Sequence, residues 1–273
     1  MADASSWVPE GVDITVPNAA RIYDFALGGV HNLPVDREFF TALAATVPGI
    51  REVALANRAF LRRAVRWLAG EHGIDQFLDI GSGIPTVGSV HEVAREINPD
   101  ARVVYADIDP VAVEHGRSLL RDDPHAHAIR GDLTDPDTTV FHREVAEHLD
   151  FSRPVGVLMV AVLHFVPDSA DPKGKIARIA EALVPGSFLV LSHGGREPDG
   201  EKRDRQLAAL TMYDRTPTPA TIREPDQVVD LLGDAFELMD PGLVLADRWR
   251  PDPEQDTESL PQTMVYAAVA RRR

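Results

Sequence analysis

The chain has 273 residues, enough for one large domain with a substantial core, and 44% of them are hydrophobic. Its 43 acidic residues outnumber its 28 basic ones, and the resulting net charge of −15 disfavours general binding to nucleic acids. The absence of cysteine excludes disulfides and thiolate metal sites. No apolar run approaches the about 20 residues that span a membrane, and the N-terminus does not resemble a signal peptide. We therefore expect a cytoplasmic protein that binds neither nucleic acid nor membrane.

The first predicted unit is a helical segment over residues 18–40. Asn18 can cap a helix, and Gly28-Gly29 would end it. The following loop carries three polar residues: His31, Asn32 and Asp36. This loop behind a double glycine suggests a lid over a bound ligand, with Tyr23 in contact with the ligand and Asn32 nearby. A helix–turn–helix packing unit is the alternative.

Residues 50–69 form a predicted amphipathic helix, because apolar residues such as Phe60 and Leu61 recur along one face. Four arginines lie mostly on its other faces: Arg58, Arg62, Arg63 and Arg66. We interpret them as a solvated face, with anion binding as the alternative.

The central motif is FLDIGSGIPT, residues 77–86. Its apolar residues predict a buried strand, Gly81-Ser82-Gly83 predicts a tight turn, and a helical pattern follows. This layout lets a backbone approach a ligand closely. A dinucleotide fingerprint would have glycine at Thr86, and the preceding Pro85 has no N–H to offer a pyrophosphate. A nicotinamide cofactor is therefore disfavoured.

Asp79 indicates which ligand the turn would take. A carboxylate beside the turn would repel phosphates but could accept a hydrogen bond from an ammonium group. The pattern favours a cationic, phosphate-free nucleoside such as S-adenosyl-L-methionine (SAM). The alternative is an aspartate that only caps the turn.

Strand and helix patterns alternate from residue 75 onward. Strands are predicted at 101–106, 125–130, 154–163 and 187–192, with helices at 110–120, 138–148 and 173–183. Such alternation predicts a parallel sheet with helices on both faces. Ligands of these sheets bind beyond the carboxyl ends of the strands.

Acidic residues follow two further strands at that edge. Asp107, which is 26 residues after Gly81, is suited to accept from two ribose hydroxyls. Asp132 could accept from an exocyclic amine while the Leu133 N–H donates to the adenine ring, and Ile108 would cover one face of the base. A helix cap for Asp107 and a turn for Asp132 are the alternatives.

Residues 193–225 are predicted to be an insertion with one short helix around 204–214. Its candidates for an acceptor pocket are His193, Met212, Tyr213 and Arg223, and a solvated linker is the alternative. Two histidine pairs, His125 with His127 and His142 with His148, offer no three converging ligands, so we predict no metal site.

Four segments together resemble class I SAM-dependent methyltransferases: FLDIGSGIPT, VVYADIDP, IRGDL and VLMVAVLHFVPD. The chain also resembles a narrower bacterial S-adenosyl methyltransferase family, formerly a domain of unknown function, through ARIYDFALGG, HNLPVDREF, GSGIPT, PGLV and WRPD. The resemblance implies a Rossmann-like sheet of seven strands, mostly parallel, with an N-terminal helical lid. The last strand, 264–270, would be antiparallel and adjacent to 236–239. One domain is expected, with a lid at 1–70, a core at 75–192, an insertion at 193–233 and terminal strands at 234–273.

The resemblance implies a SAM-dependent methyltransferase that acts on a small molecule. Its cofactor would contact the residues named above, including Ser82 and Gly83, together with Ala161 and Val162 at the end of the fourth strand. Many relatives carry a polar residue at that strand end, so a non-catalytic SAM-binding regulator is an alternative. His164 is the nearest ionisable side chain and is a candidate general base, with packing or substrate contact favoured over it. The sequence leaves the acceptor and a homodimer open.

Overall fold

A computed structural model describes residues 8–9, 12–85, 88–197, 199–252 and 264–273. A central sheet of eight strands runs through this part of the chain. The strands are β1 Gln76–Ile80, β2 Arg102–Asp107, β3 Ala126–Arg130, β4 Gly156–Val160, β5 Phe188–Gly194, β6 Phe236–Leu238, β7 Val244–Leu245 and β8 Val265–Arg272.

The strand order is β3-β2-β1-β4-β5-β8-β6. Strands β1 to β5 are parallel, and β8 is antiparallel to both β5 and β6. The predicted fold class is therefore confirmed, including the antiparallel last strand. The expected strand count was one too low, because the two-residue β7 also pairs with β8. A strand of two residues leaves almost no periodic signal in a sequence.

Nine α-helices lie in the described part of the chain. They are α1 Ala19–Ala26, α2 Pro34–Thr46, α3 Ile50–His72, α4 Val90–Arg95, α5 Pro110–Leu119, α6 Arg143–His148, α7 Pro172–Glu181, α8 Glu201–Tyr213 and α9 Pro225–Asp230. Two large hydrophobic clusters include alternate residues of the strands: Leu78 and Ile80 belong to one, and Phe77 belongs to the other together with residues of α3. This division explains why the central strands are apolar throughout.

Three local expectations require correction. Only α6 and a 3₁₀ turn, Pro136–Thr138, are helical where one helix over 138–148 was expected. Strand β4 ends at Val160, not at residue 163, because Ala161 has a left-handed φ of 59° and a 3₁₀ turn follows at Leu163–Phe165. Asp36 lies inside α2 and not in the preceding loop, where its carboxylate accepts from the Leu33 N–H at 2.8 Å.

The first two helices, which are the predicted lid, share a small core with α3, made by four buried residues: Ile22, Ala26, Phe40 and Ala54. Asn18 caps α1 through the Ala20 N–H at 2.8 Å, as expected. A buried ion pair between Arg21 and Asp36, at 3.0 Å, joins α1 to α2. The lid is therefore a packed unit supported on α3.

Within the described ranges, no single helix is long and apolar enough to cross a membrane. Helices α2 and α3 reach that length and composition only as a pair, which is bent by 106° at its break.

Candidate functional site

The glycine turn after β1 places the backbone at the carboxyl edge of the sheet. Gly81 and Gly83 have φ values of 70° and 63°, which favour glycine. The N–H groups of Gly81 and Ser82 donate to the Ala106 carbonyl oxygen at 2.8 and 3.3 Å. The Gly83 N–H donates to Oδ2 of Asp107 at 2.7 Å. Three donors that could have cradled a phosphate are thus engaged with β2. Thr86 lies outside the described residues.

Two buried carboxylates lie beside this turn. Asp79 in β1 is 5% exposed and Asp107 at the end of β2 is 7% exposed. Burial raises the pKa of Asp79 to about 7; the charge of Asp107 adds to this effect and that of Arg58 opposes it. Burial likewise raises the pKa of Asp107 to about 6, against the hydrogen bonds it accepts. The site is therefore suited to a cationic ligand that would restore both ionised forms.

Asp107 does not cap the following helix, which removes the alternative role considered for it. Asp109 is the cap of α5, and its carboxylate accepts from the Val111 N–H at 3.0 Å. The Asp107 carboxylate accepts from Asp109 N–H at 2.8 Å and from the glycine turn, and each oxygen keeps a lone pair for another donor. Ile108 next to it is 48% exposed, and its contact with a bound base stays a prediction.

Asp132 follows β3 in a turn. Its Oδ1 accepts from both the backbone N–H and the hydroxyl of Thr134, each at 2.8 Å. Oδ1 of Asp132 therefore has the local turn role that was the alternative for this residue. A contact between Oδ2 of Asp132 and a bound nucleoside stays a prediction. Leu133 is 6% exposed and its side chain belongs to the core.

The arginines of α3 are not a uniformly solvated face. Only Arg66 fits that expectation, since its side chain is 41% exposed and pairs with Glu96. Arg63 is buried and donates to the carbonyl oxygens of Ala246 and Trp249. In the described structure, the buried Nε atoms of Arg58 and Arg62 lack a hydrogen-bond partner. These two arginines occupy the same side of the helix, four residues apart.

Arg58 lies beside two of the predicted cofactor residues. Its guanidinium carbon lies 5.7 Å from the centre of the Tyr23 ring, and its charge acts on Asp79. A buried guanidinium Nε without a partner is a group that an anionic ligand would satisfy. Sequence periodicity could not identify this role, because it reports the face of a helix and not what packs against it.

A chain of hydrogen bonds connects the lid to the ends of β4 and β5. Asn57 Nδ2 donates to the Tyr23 hydroxyl at 2.9 Å, and the Ser192 hydroxyl donates to Asn57 Oδ1 at 2.5 Å. The Ala161 N–H in turn donates to Ser192 Oγ at 2.9 Å. The Tyr23 hydroxyl donates to the carbonyl oxygen of Ala54 at 3.2 Å, which completes the chain. Tyr23 and Ala161 were both predicted site residues, but Asn57 and Ser192 were not.

The Asn32 side chain forms hydrogen bonds within the loop between α1 and α2. Its side-chain amide donates to Asp24 Oδ2 at 2.9 Å and to the Gly29 carbonyl oxygen at 3.0 Å. A Cβ on Gly29 would lie 2.0 Å from Asp24 Oδ1, so glycine is needed there. The loop reaches α5 through His31, whose ring centre is 4.4 Å from that of His115.

Val162, which follows β4, packs against the glycine turn. A Cβ on Gly81 would lie 2.2 Å from Val162 Cγ2, so these two predicted residues are in direct contact across the sheet edge. The structure therefore brings together Tyr23, Asp79, Asp107, the glycine turn, Ala161 and Val162.

His164 lies beyond the end of β4 and His193 lies near the end of β5, with ring centres 5.8 Å apart. His193 Nδ1 donates to the Gly194 carbonyl oxygen at 2.8 Å, so its Nε2 is the acceptor for Arg223 Nη1 at 2.8 Å. Burial lowers the pKa of His164 to about 3 and that of His193 to about 4. Both imidazoles are therefore neutral at physiological pH.

No group of three or more His, Cys, Asp or Glu residues that could hold a metal ion was found among the residues that the structure describes.

The chain matches the family described as S-adenosyl methyltransferase over residues 5–273. The structure of a candidate methyltransferase from Thermobifida fusca YX is 38% identical in sequence, with a TM-score of 0.90, over 98% of this chain and 99% of that one. A DUF574 family protein from Streptomyces avermitilis MA-4680 is 33% identical, with a TM-score of 0.85, over 96% and 100% of the two chains. The comparison with curated proteins found no match.

Solved structures that are more distant share only the fold. The trans-methyltransferase CalH, in complex with S-adenosylhomocysteine (SAH), is 17% identical with a TM-score of 0.50. The aligned region covers 82% of this chain and 59% of CalH.

Proposed function

This chain belongs to the S-adenosyl methyltransferase family, and we propose that it transfers the methyl group of SAM to a small-molecule acceptor. Its cofactor is S-adenosyl-L-methionine, as the sequence predicted. The observation that carries the proposal is the pair of buried carboxylates beside a glycine turn whose N–H groups are already engaged. Such a site is suited to a nucleoside with positive charge and without phosphate.

The residues present fit each part of this cofactor. Asp107 would accept from the ribose hydroxyls with the lone pairs left by its two backbone partners. Asp79 would accept from the ammonium group, and the unpaired Nε of Arg58 would donate to the carboxylate of the methionine part. Opposite charges on protein and ligand would thus be matched within one cleft.

Positioning, and not proton transfer, is the main contribution we assign to the protein. When bound, the cofactor supplies a methyl group already activated by positive sulfur. Tyr23 and Ala161, joined through Asn57 and Ser192, would hold the lid and the β4 end at a fixed separation and exclude water. His164 is a poor general base near neutral pH because its pKa is about 3, so we assign it substrate contact.

Calorimetric titration tests the cofactor part of this proposal. SAM and SAH should bind the wild type, NAD should not, and Asp107→Ala should lose at least about tenfold in affinity because a charge-assisted hydrogen bond disappears. Asp100→Ala is the matched control, since Asp100 is exposed in the loop before β2. Binding of NAD without binding of SAM would overturn the proposal.

Methyl transfer itself is tested with methyl-labelled SAM and a library of small-molecule acceptors. Label should pass to an acceptor only in the presence of protein with an intact cofactor site. Tight SAM binding without transfer to any member of a chemically broad library would contradict the catalytic part of the proposal.

A further inference from the structure

A continuous row of rings begins where the proposed cofactor site ends. It runs from the lid helix α2, over the insertion helix α8, to the turn after β4, and we call it the aromatic row: Phe39, Tyr213, Phe165 and His164. Successive ring centres are 5.2, 5.7 and 4.3 Å apart. All four residues are half-buried. His164 connects the row to the sheet, because Val162, two residues before it, packs on Gly81.

The aromatic row carries one buried hydrogen-bonding atom that is unused. Within the described ranges, Nδ1 of His164 is buried and has no partner, whereas the backbone carbonyl oxygen of the same residue accepts from the Thr221 N–H at 2.6 Å. A buried polar atom without a partner is costly, and a ligand that supplies the missing hydrogen bond recovers that cost.

The cation whose charge acts on His164 is not available to a ligand. Arg223 is buried at 3% exposure and pairs with Asp168 at 2.6 Å. Its remaining nitrogen–hydrogen groups donate to the carbonyl oxygens of Leu163 and Val166 and to His193. A methyl acceptor with a carboxylate or phosphate would therefore lose the hydration of that group beside His164, and no unpaired guanidinium of Arg223 would compensate for the loss.

A cationic acceptor is disfavoured for a different reason. The positive charge of Arg223 already acts against protonation of His164, together with burial and the neighbouring His193. The same field would oppose an ammonium group at that position. A hydroxyl group fits instead, because it both donates and accepts and therefore pairs with Nδ1 in either tautomer of a neutral imidazole.

We infer that the acceptor is an uncharged, planar aromatic molecule with a hydroxyl group, its ring held along the aromatic row and its hydroxyl paired with His164 Nδ1. This inference rests on the proposed methyl-transfer function and names the substrate class of that site. The rings of the row provide the apolar contact, since aromatic pairs favour tilted and edge-to-face arrangements at these separations.

The test uses the full chain with SAH and two probes that differ by one hydroxyl, 2-naphthol and naphthalene. Ligand-observed NMR titration should give about fivefold tighter binding of 2-naphthol to the wild type, the gain expected for one hydrogen bond. The ratio should fall to about one in His164→Phe, which keeps a ring but lacks Nδ1. His164→Gln should restore part of the ratio, because an amide again offers a donor and an acceptor. Tyr213→Leu should lower the affinity for both probes by the same factor.

Controls separate this inference from the proposed function. His125→Phe replaces a histidine that precedes β3, at the opposite end of the strands, and should leave the ratio unchanged. The anionic probe 2-naphthoate should bind less tightly than 2-naphthol. If SAH binds but the hydroxyl preference is absent, or persists in His164→Phe, the acceptor class is refuted while the proposed function stands. Failure of both SAM and SAH to bind the wild type would overturn both.

Discussion

Replacement of Asp79 by asparagine should make the empty protein more stable and at the same time remove most of its affinity for SAM. Asparagine has nearly the shape of a protonated aspartate but no charge to bury. The wild-type carboxylate is 5% exposed, and burial raises its pKa to about 7 from an ordinary value of 3.8. The folded protein therefore becomes less stable as this group ionises.

The size of the gain follows from the two pKa values. At about 1.36 kcal/mol per pH unit, values of about 7 and 3.8 correspond to about 4 kcal/mol in the free energy of unfolding above pH 8. We expect a measured gain of about 2–4 kcal/mol, since relaxation around Asp79 lowers the cost of its charge. At about pH 3 and below, Asp79 is mostly protonated in both states and the gain should vanish. As pH rises from about 4 to about 7, wild-type stability should fall more steeply than that of Asp79→Asn, in which only the smaller contribution of Asp107 remains.

Urea unfolding at several pH values, without cofactor, measures the stability change. Asp100→Asn is the matched control, because this exposed aspartate should change stability by less than about 0.5 kcal/mol at any pH. Calorimetry on the same samples should show SAM binding weakened by about 10- to 100-fold in Asp79→Asn. A variant no more stable than the wild type at pH 8, or one equally stabilised at pH 4 and pH 8, would refute the reasoning.

Three further changes probe other parts of the site. Arg58→Met should lower the affinity for SAM at least about tenfold in calorimetry, and should leave the affinity for 5′-methylthioadenosine, which has no carboxylate, unchanged. Arg66→Met is the control at a solvated arginine, and equal losses of affinity for both ligands would contradict the role assigned to Arg58. Gly81→Ala should abolish SAM binding, because its Cβ would lie 2.2 Å from a Val162 methyl group, whereas Gly70→Ala in open space should bind normally. Wild-type affinity for SAM, titrated from pH 5 to pH 8, should rise as Asp107 and Asp79 ionise through about 6 and about 7, and a flat profile would exclude their role.

The sequence was sufficient to predict the parts of the fold that depend on local pattern. Alternating strands and helices placed the parallel sheet and its glycine turn, whereas the antiparallel C-terminal strand was expected only from the family resemblance. Asp107 was identified from its spacing to Gly81 and its position at a strand end. These features depend on residues close together in the chain, where periodicity and turn chemistry act directly.

Features made by distant segments could not be predicted in this way. Asn57 contacts Ser192 across 135 positions of sequence, and neither residue belongs to a recognisable motif. Arg63 and Arg66 follow the same pattern along α3, yet one is buried under the 246–249 turn and the other is solvated. The partner of a side chain is set by tertiary packing, which a single helical pattern does not contain.

The two halves of the cleft differ in how their charges are satisfied. Asp79 and Asp107 are buried with raised pKa values, so the empty cofactor half is destabilised until a cation arrives. On the acceptor half, Arg223 is fully paired and His193 is held neutral in one tautomer. A cation is therefore attracted to β1 and β2, while the region beyond β4 and β5 accepts an uncharged group. The contact between Gly81 and Val162 joins the turn after β1 to the segment after β4, and so lies between these two regions.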